Sequence, residues 1–294
     1  MDNSALILQE ANKIVETVGI PTMPAVVAKI TNEIRKPNPN YASIAEMIKE
    51  DIGLSAKVLK LANSAMFGAG RVDSVSRALM IMGFGVFYNV ILSTAITESL
   101  KKFKLPQATF KEFWEHSMFM AMTCALITKN LSASDIGIVS EEKAYTVGLF
   151  HDCGIPLIIM RHGDTEDLYR YQQVDYSNVM LGEDDLISTN HCALGGLVSK
   201  SWKLDNFVIQ CIQHHHDAPK TIKDDSVRLM CVILTMAECF YSEHFTSFMD
   251  IKNFDDSALI KNITTGLDMA MDEYQDIREE VATKIVKSIT ESSL

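Results

Sequence analysis

Apolar positions along this chain recur at helical spacing. Leu6, Ile7, Ala11, Ile14, Val15 and Val18 share one face of a helix that Gly19 ends, and Pro21 and Pro24 bracket a short link. Val26, Val27 and Ile30 mark a second helix, the KPNPN segment at 36–40 a turn by Pro and Asn chemistry, and Ile44, Met47 and Ile48 a third helix. Asp51 and Gly53 punctuate, after which Leu54, Val58, Leu59 and Leu61 give a fourth, ending near Asn63 and Ser64. Ser74 suits the N-cap of a helix through Met82 that Gly83 stops, and another helix covers Val86 to Leu100.

The sequence Lys104-Leu105-Pro106 is the first boundary. A long helix is expected from Phe110 to Leu131, and a helix from Glu141 to His151 capped by Ser140, with Glu141 and Glu142 in its acid-favouring first turn. Gly154 and Pro156 break it. Gly182 to Leu204 reads as one long helix in which Ala193, Gly195 and Gly196 permit close packing, and Asp205 caps a helix running into His214, His215 and His216. Val227 to Phe240 reads as a buried helix and Asp268 to Ile289 as a closing amphipathic one. No strand-like alternation, internal repeat or low-complexity stretch stands out. The expected fold is all-α, a multi-helix bundle. Its expected parts are an N-terminal helical subdomain over 1–105, a helical bundle over 106–245 and a C-terminal helical extension over 246–294 packing on the bundle.

Composition narrows the function classes. Of the 294 residues 47% are hydrophobic and 22% charged, enough for a sizeable core, while 14 Gly and 7 Pro are too few for a turn-rich β fold. The net charge of −11 repels phosphate backbones, so nucleic acid is not an expected partner. The six cysteines, Cys124, Cys153, Cys192, Cys211, Cys231 and Cys239, form no CxxC pair and read as buried free thiols of a reducing compartment, which places the chain in the cytoplasm. MDNSALILQEANKIVE lacks the layout of a signal peptide, and the apolar run Val86 to Ile96 is too short to span a bilayer, so no membrane association is expected.

The chemistry lies in a histidine and acid constellation. In chain order it comprises Glu112 and His116, His151-Asp152, His191, His215 and His216, and Glu238, each on or at the end of a predicted helix. Imidazole nitrogen and carboxylate oxygen bind divalent transition metals, and carboxylates also bind Mg²⁺. Glu112 and His116 stand four residues apart, on one helical face. A central carboxylate could bridge two ions roughly 3.5–4 Å apart, the arrangement that activates water for phosphoester cleavage. His162 and His244 read as ordinary histidines, Trp114 and Trp202 as core anchors, and Cys153 as a buried thiol rather than a nucleophile.

The order His116, His151-Asp152 and a late acid, Glu238, resembles the HD superfamily of metal-dependent phosphohydrolases, although that superfamily has Asp at the last position. His191 and the pair His215-His216 resemble the fuller ligand set of the HD-GYP cyclic-dinucleotide phosphodiesterases, in which Glu112 would match an additional ligand; His214 is an alternative to His215, and helix phase does not decide between them. The lysine that follows the HD pair in that superfamily is missing from HDCGIP (151–156), and no GYP motif follows. The blocks IPTMPAVVAKI (20–30), EDIGLSAKVLKLANSAMFG (50–68) and SVSRALMIMGF (74–84) resemble the HDOD domain of bacterial signalling proteins, a likeness that covers roughly residues 15–245. Asn63, Ser64 and Phe67 in the second block read as a helix end and its packing rather than as a ligand groove.

The resemblance implies a regulatory module in signal transduction, acting through protein partners or a nucleotide-like ligand. The alternative is a metal-dependent phosphohydrolase acting on phosphomonoesters, nucleotides or cyclic dinucleotides, with Asp152 and His151 catalytic. In that case one or two divalent ions (Fe, Mn, Ni, Zn or Mg) would sit on Glu112, His116, His151, Asp152, His191, His215, His216 and Glu238. The same ligands would also serve metal or haem-like sensing without turnover.

Overall fold

A computed structural model describes residues 3–63, 72–103, 105–131, 139–163, 179–245, 256–286 and 289. Among them the regular elements are all helical: α1 Asn3–Val18, α2 Ala25–Ile34, α3 Tyr41–Glu50, α4 Ile52–Ala62, α5 Val75–Lys101, α6 Gln107–Asn130, α7 Glu141–Phe150, α8 Ile155–His162, α9 Val179–Ile187, α10 His191–Ser201, α11 Asn206–His214, α12 Asp225–His244, α13 Asp256–Gly266 and α14 Met271–Glu280. A 3₁₀ turn at Pro219–Thr221 and a π turn at Val281–Val286 complete them. Three expected caps are in place, with the side chains of Ser74, Ser140 and Asp205 accepting from Arg77, Lys143 and Phe207 N–H groups. Gly83 breaks α5 with φ 71° and ψ 170°, a conformation that favours glycine.

Three expectations are corrected. Residues 182–204 form two helices, because Ser188 takes φ 57° and Asn190 caps α10 through the Ala193 N–H at 2.9 Å. The break expected at Gly154 and Pro156 is present, but a helix that was not expected, α8, starts at once, with Pro156 in its first turn, where no N–H is needed. The closing helix begins at Met271 rather than Asp268, which has φ 46°, and α13 precedes it unforeseen.

The chain forms two compact units, one of Met1–Ile20 and Leu105–Val286, the other of Pro21–Lys104 and Lys287–Leu294. One break falls between residues 104 and 105, beside Pro106. The first twenty residues, however, go with the C-terminal unit: α1 packs on α8 and α10, and Thr189 Oγ1 donates to Ile7 O at 3.0 Å. The residues of α13 and α14 belong to that unit too.

The smaller unit packs α2–α5 around Ile30, Ile44, Ile48, Val58, Phe87 and Ile91. Asn63 ends α4 and accepts the Val72 N–H at 2.7 Å while donating to the carbonyls of Val72 at 2.8 Å and Leu59 at 2.7 Å. That is the structural role expected of it; Ser64 and Phe67 lie outside the described residues. Helix α5 is long and apolar enough to cross a membrane, with mean hydropathy 1.9, yet half of that stretch is buried within the protein, which accounts for its composition. The larger unit packs α6, α7, α11 and α12 around Phe119, Phe150, Trp202, Ile212 and Phe240, all fully buried.

Candidate metal centre

His151 and Asp152 occupy the turn that follows α7, pressed into the bundle at two glycines. A Cβ on Gly148 would lie 2.5 Å from Met120 O, and one on Gly154 would lie 2.1 Å from His191 O. Both contacts are to backbone, so only glycine lets α7 lie against α6 and lets the turn meet the start of α10. Gly195 and Gly196 lie close against the side chains of Ile212 and Gln213 of α11, as their small size suggested. Five helices or their ends, α6, α7, α10, α11 and α12, thereby deliver donors to one place.

The donors fall into two groups that share Asp152. In the first, His116 Nε2 and His151 Nε2 are 3.2 Å apart, and they lie 3.2 and 3.0 Å from Asp152 Oδ2. Glu238 Oε1 closes the group at 3.4 Å from His116 and 3.2 Å from His151. In the second, His191 Nε2 lies 3.2 Å from His215 Nε2 and 3.1 Å from His216 Nε2, and Asp152 Oδ1 lies 3.6 Å from both His191 and His215. Donors held roughly 2.0–2.2 Å from a common ion stand about 3.0–3.6 Å from one another, in octahedral or tetrahedral arrangement. The observed spacings match that range.

Asp152 makes the stronger case. It is 2% exposed, and neither oxygen has a hydrogen bond of acceptable geometry. A buried carboxylate whose two oxygens face ring nitrogens without a well-formed hydrogen bond is left short of partners, a place that an ion would fill. The rings are held accordingly. His151 Nδ1 donates to Gly148 O and His215 Nδ1 to Ile212 O, each at 2.8 Å, while His191 Nδ1 donates to Glu183 Oε2 at 2.7 Å. With Nδ1 carrying the proton, each Nε2 presents its lone pair to the cluster, the usual state of a ligating histidine.

Electrostatics follow from burial and crowding. Burial works against charge on His151, but Asp152 and Glu238 override it and carry its pKa up to about 10. His116 reaches about 8 by the same opposition of burial against Glu238 and Asp152. Burial pushes Asp152 and Glu238 upward, yet the facing histidines win, holding Asp152 well below the ordinary range and Glu238 at about 2. His216 goes the other way, pushed well down by burial and by His215 and His191.

Of the residues expected from sequence, His116, His151, Asp152, His191, His215, His216 and Glu238 converge. Glu112 does not: it is exposed one turn before His116 and stands outside the set. His214 is half-exposed and donates Nδ1 to Asp217 Oδ2 at 2.7 Å, which leaves the inner place to His215. His162 and His244 are exposed, Trp202 is core and Trp114 is half-buried.

Two neighbours escaped the sequence reading. Glu183, 1% exposed, takes both the Nδ1–H and the main-chain N–H of His191. Cys192 Sγ lies 3.5 Å from His191 Nε2, but it is nearer His215 Nδ1, at 3.5 Å, than Nε2, at 3.9 Å. That places the thiol beside the His215 ring and not beyond Nε2, where an ion on that lone pair would be. Burial raises its pKa and the two imidazoles lower it, to about 7. Only the direct adjacency of Cys192 to His191 hinted at it in the sequence.

A family model for the HDOD domain matches residues 20–218. Among solved structures, an HDOD domain protein of unknown function from Geobacter sulfurreducens is 22% identical, with TM-score 0.74 over 98% of this chain and 97% of that one. A Shewanella amazonensis protein assigned by inference to the phosphohydrolases is 21% identical, with TM-score 0.70 over 97% and 96%. A Marinobacter aquaeolei protein assigned by inference to signal transduction is 16% identical, with TM-score 0.76 over 99% and 64%. These likenesses establish the fold. An uncharacterised Treponema pallidum protein is 24% identical over 204 residues, 68% of this chain, which spans 38% of that relative's length.

Proposed function

We propose that the chain, which belongs to the HDOD domain family, holds two divalent ions on either side of Asp152 and hydrolyses phosphoesters there. The observation that carries the reading is the buried Asp152 carboxylate, each oxygen facing a different set of histidines at 3.0–3.6 Å with no hydrogen bond to account for it. A bound ion pair supplies Lewis-acid polarisation of a phosphoryl oxygen and a water nucleophile at neutral pH. The protein's part is positioning. His116, His151 and Glu238 with Asp152 Oδ2 define one position; His191, His215 and His216 with Asp152 Oδ1 define the other. Gly148 O, Ile212 O and Glu183 fix three of the rings. Glu238 and His216 are the partly exposed members, so a phosphoester approaches from their side.

Metal analysis of untagged protein tests this. Near two equivalents of iron, manganese, zinc or nickel are expected in the wild type and fewer than half an equivalent in Asp152→Ala, with hydrolysis of phosphomonoesters, nucleotides or cyclic dinucleotides lost in parallel. Activity that survives Asp152→Ala would refute the reading.

A second reading, a regulatory module acting on a signalling partner, is favoured by the missing lysine and GYP motif and by the apolar surface of the smaller unit, where Ile52 is 84% and Met80 77% exposed. A protein that takes up no ion, yet loses partner binding when Ile52 and Met80 become polar, would support it. The six buried free thiols suit a reducing compartment such as the cytoplasm.

A further inference from the structure

The two positions beside Asp152 differ in charge. The first draws on two carboxylates, Asp152 Oδ2 and Glu238; the second draws on one oxygen of the shared Asp152 and three imidazoles. A dication at the second position therefore meets less compensating charge from its direct ligands.

Glu183 lies directly behind that position. Its Oε2 accepts the His191 Nδ1–H at 2.7 Å and the His191 main-chain N–H at 2.9 Å, a double clasp within the protein interior. His151 and His215 rest their Nδ1–H groups on neutral main-chain carbonyls. Of the three histidines, His191 alone is backed by a carboxylate. Glu183 Oε1 is itself buried with no hydrogen-bond partner, a costly placement for a residue that served only to end a helix. The helix-capping task is already done by Asn190, which accepts the Ala193 N–H at 2.9 Å.

We infer that Glu183 is a positioning residue that supplies, through the His191 ring, the negative charge the second ion position lacks, so that this nitrogen-rich position takes a zinc-like, imidazole-preferring ion. A carboxylate hydrogen-bonded behind a ligating histidine fixes its tautomer and raises its basicity, and removing such a partner typically costs about 10–100-fold in metal affinity. Three imidazoles and one carboxylate oxygen suit zinc, iron or nickel better than Mg²⁺, which prefers oxygen.

The inference rests on the two-ion reading above, and the test keeps the two apart. Full-length protein stripped of metal is titrated with Zn²⁺ in competition with a chromophoric chelator. Glu183→Gln keeps an acceptor oxygen for His191 and removes only the charge. It should weaken one of two zinc equivalents by about 10–100-fold and leave the other within about twofold. In a Glu238→Gln background, which cripples the first position, the remaining equivalent should still respond to Glu183→Gln. In a His216→Gln background, which cripples the second, it should not. The apo-protein melting temperature of Glu183→Gln should match the wild type.

Two wild-type-like equivalents in Glu183→Gln would overturn this inference and leave the two-ion reading standing. Equal weakening of both, with a lowered apo melting temperature, would reduce Glu183 to a helix clasp. A wild type that binds no zinc would overturn both.

Discussion

Substituting Gly154 by alanine tests whether the HD turn and α10 truly meet backbone to backbone. Gly154 has φ −78° and ψ −29°, which alanine adopts freely. Backbone preference alone would therefore stabilise the variant by about 0.4–1 kcal/mol through the unfolded chain. The steric term points the other way. The new Cβ would sit 2.1 Å from His191 O, 2.8 Å from Gly195 N and 2.9 Å from His191 C. Relief to ordinary contact needs an opening of about 1 Å, and the atoms concerned are backbone on both sides, with no flexible end to swing away. Overpacking of this kind costs roughly 1–3 kcal/mol, sometimes more, so the net expectation is a loss of about 2 kcal/mol. The same opening would carry Asp152 Oδ1 from 3.6 Å to well beyond 4 Å from His191 Nε2 and disable the second ion position. Gly53→Ala is the control, because its nearest neighbour is the Asp51 side chain at 3.4 Å and it lies on the exposed first turn of α4; it should be neutral or stabilising by up to about 1 kcal/mol. Urea midpoints of the stripped proteins and zinc titrations read both effects. A Gly154→Ala protein as stable as Gly53→Ala, with two wild-type ion sites, would refute the close approach.

Asn63→Ala should cost about 1–3 kcal/mol, since three hydrogen bonds join its amide to Leu59 and Val72, and urea unfolding would show it; ion binding, which belongs to the other unit, should not change. Stripped protein should be most stable in a mildly acidic window. His151, raised from 6.5 to about 10, contributes fully below pH 6.5 and loses its contribution as pH rises through 10. Glu238, lowered from 4.5 to about 2, contributes above pH 4.5 and loses it as pH falls through 2. His216, pushed down by burial and by His215 and His191, loses its contribution as pH falls below 6.5, so the apo optimum lies toward the upper end of the range between about pH 4.5 and 6.5, while zinc affinity should rise with pH, because ligation displaces protons from the nitrogens. Thermal melts of stripped and loaded protein across that range check both signs, and parallel profiles would refute the assignment of these groups to an ion cluster.

Much of the fold was legible because helix ends are marked by local chemistry. Ser74, Ser140 and Asp205 cap where a polar side chain precedes an apolar run, and Gly83 interrupts where only glycine takes φ 71°. The break between α9 and α10 carried the same kind of mark, the polar Ser188-Thr189-Asn190 with Asn190 as cap, but apolar residues on both sides of it keep helical spacing and masked it. The partition of the chain was hidden too, since nothing in the spacing of α1 says which distant helices it meets. The inward histidines and acids were legible as a set because ligating side chains are chemically rare in an apolar bundle. Glu112 misled because four-residue spacing fixes a face, not the depth to which that face is buried. Glu183 was invisible because a carboxylate that acts through another residue has no spacing of its own.

The docking of α1 onto α8 and α10 bears on how the protein is made. During synthesis α1 emerges early, but its partner helix α10 begins at His191. At about 5–20 residues per second the wait is on the order of 10–40 s, during which the smaller unit can complete its own local contacts. The donors close later still, the second position with His216 and the first with Glu238, so neither position is complete before its last ligand has been made. An amphipathic helix waiting that long is a natural client for holding factors. A fusion placed just ahead of α1 would press on the ion-bearing bundle rather than on the helices that follow it in sequence.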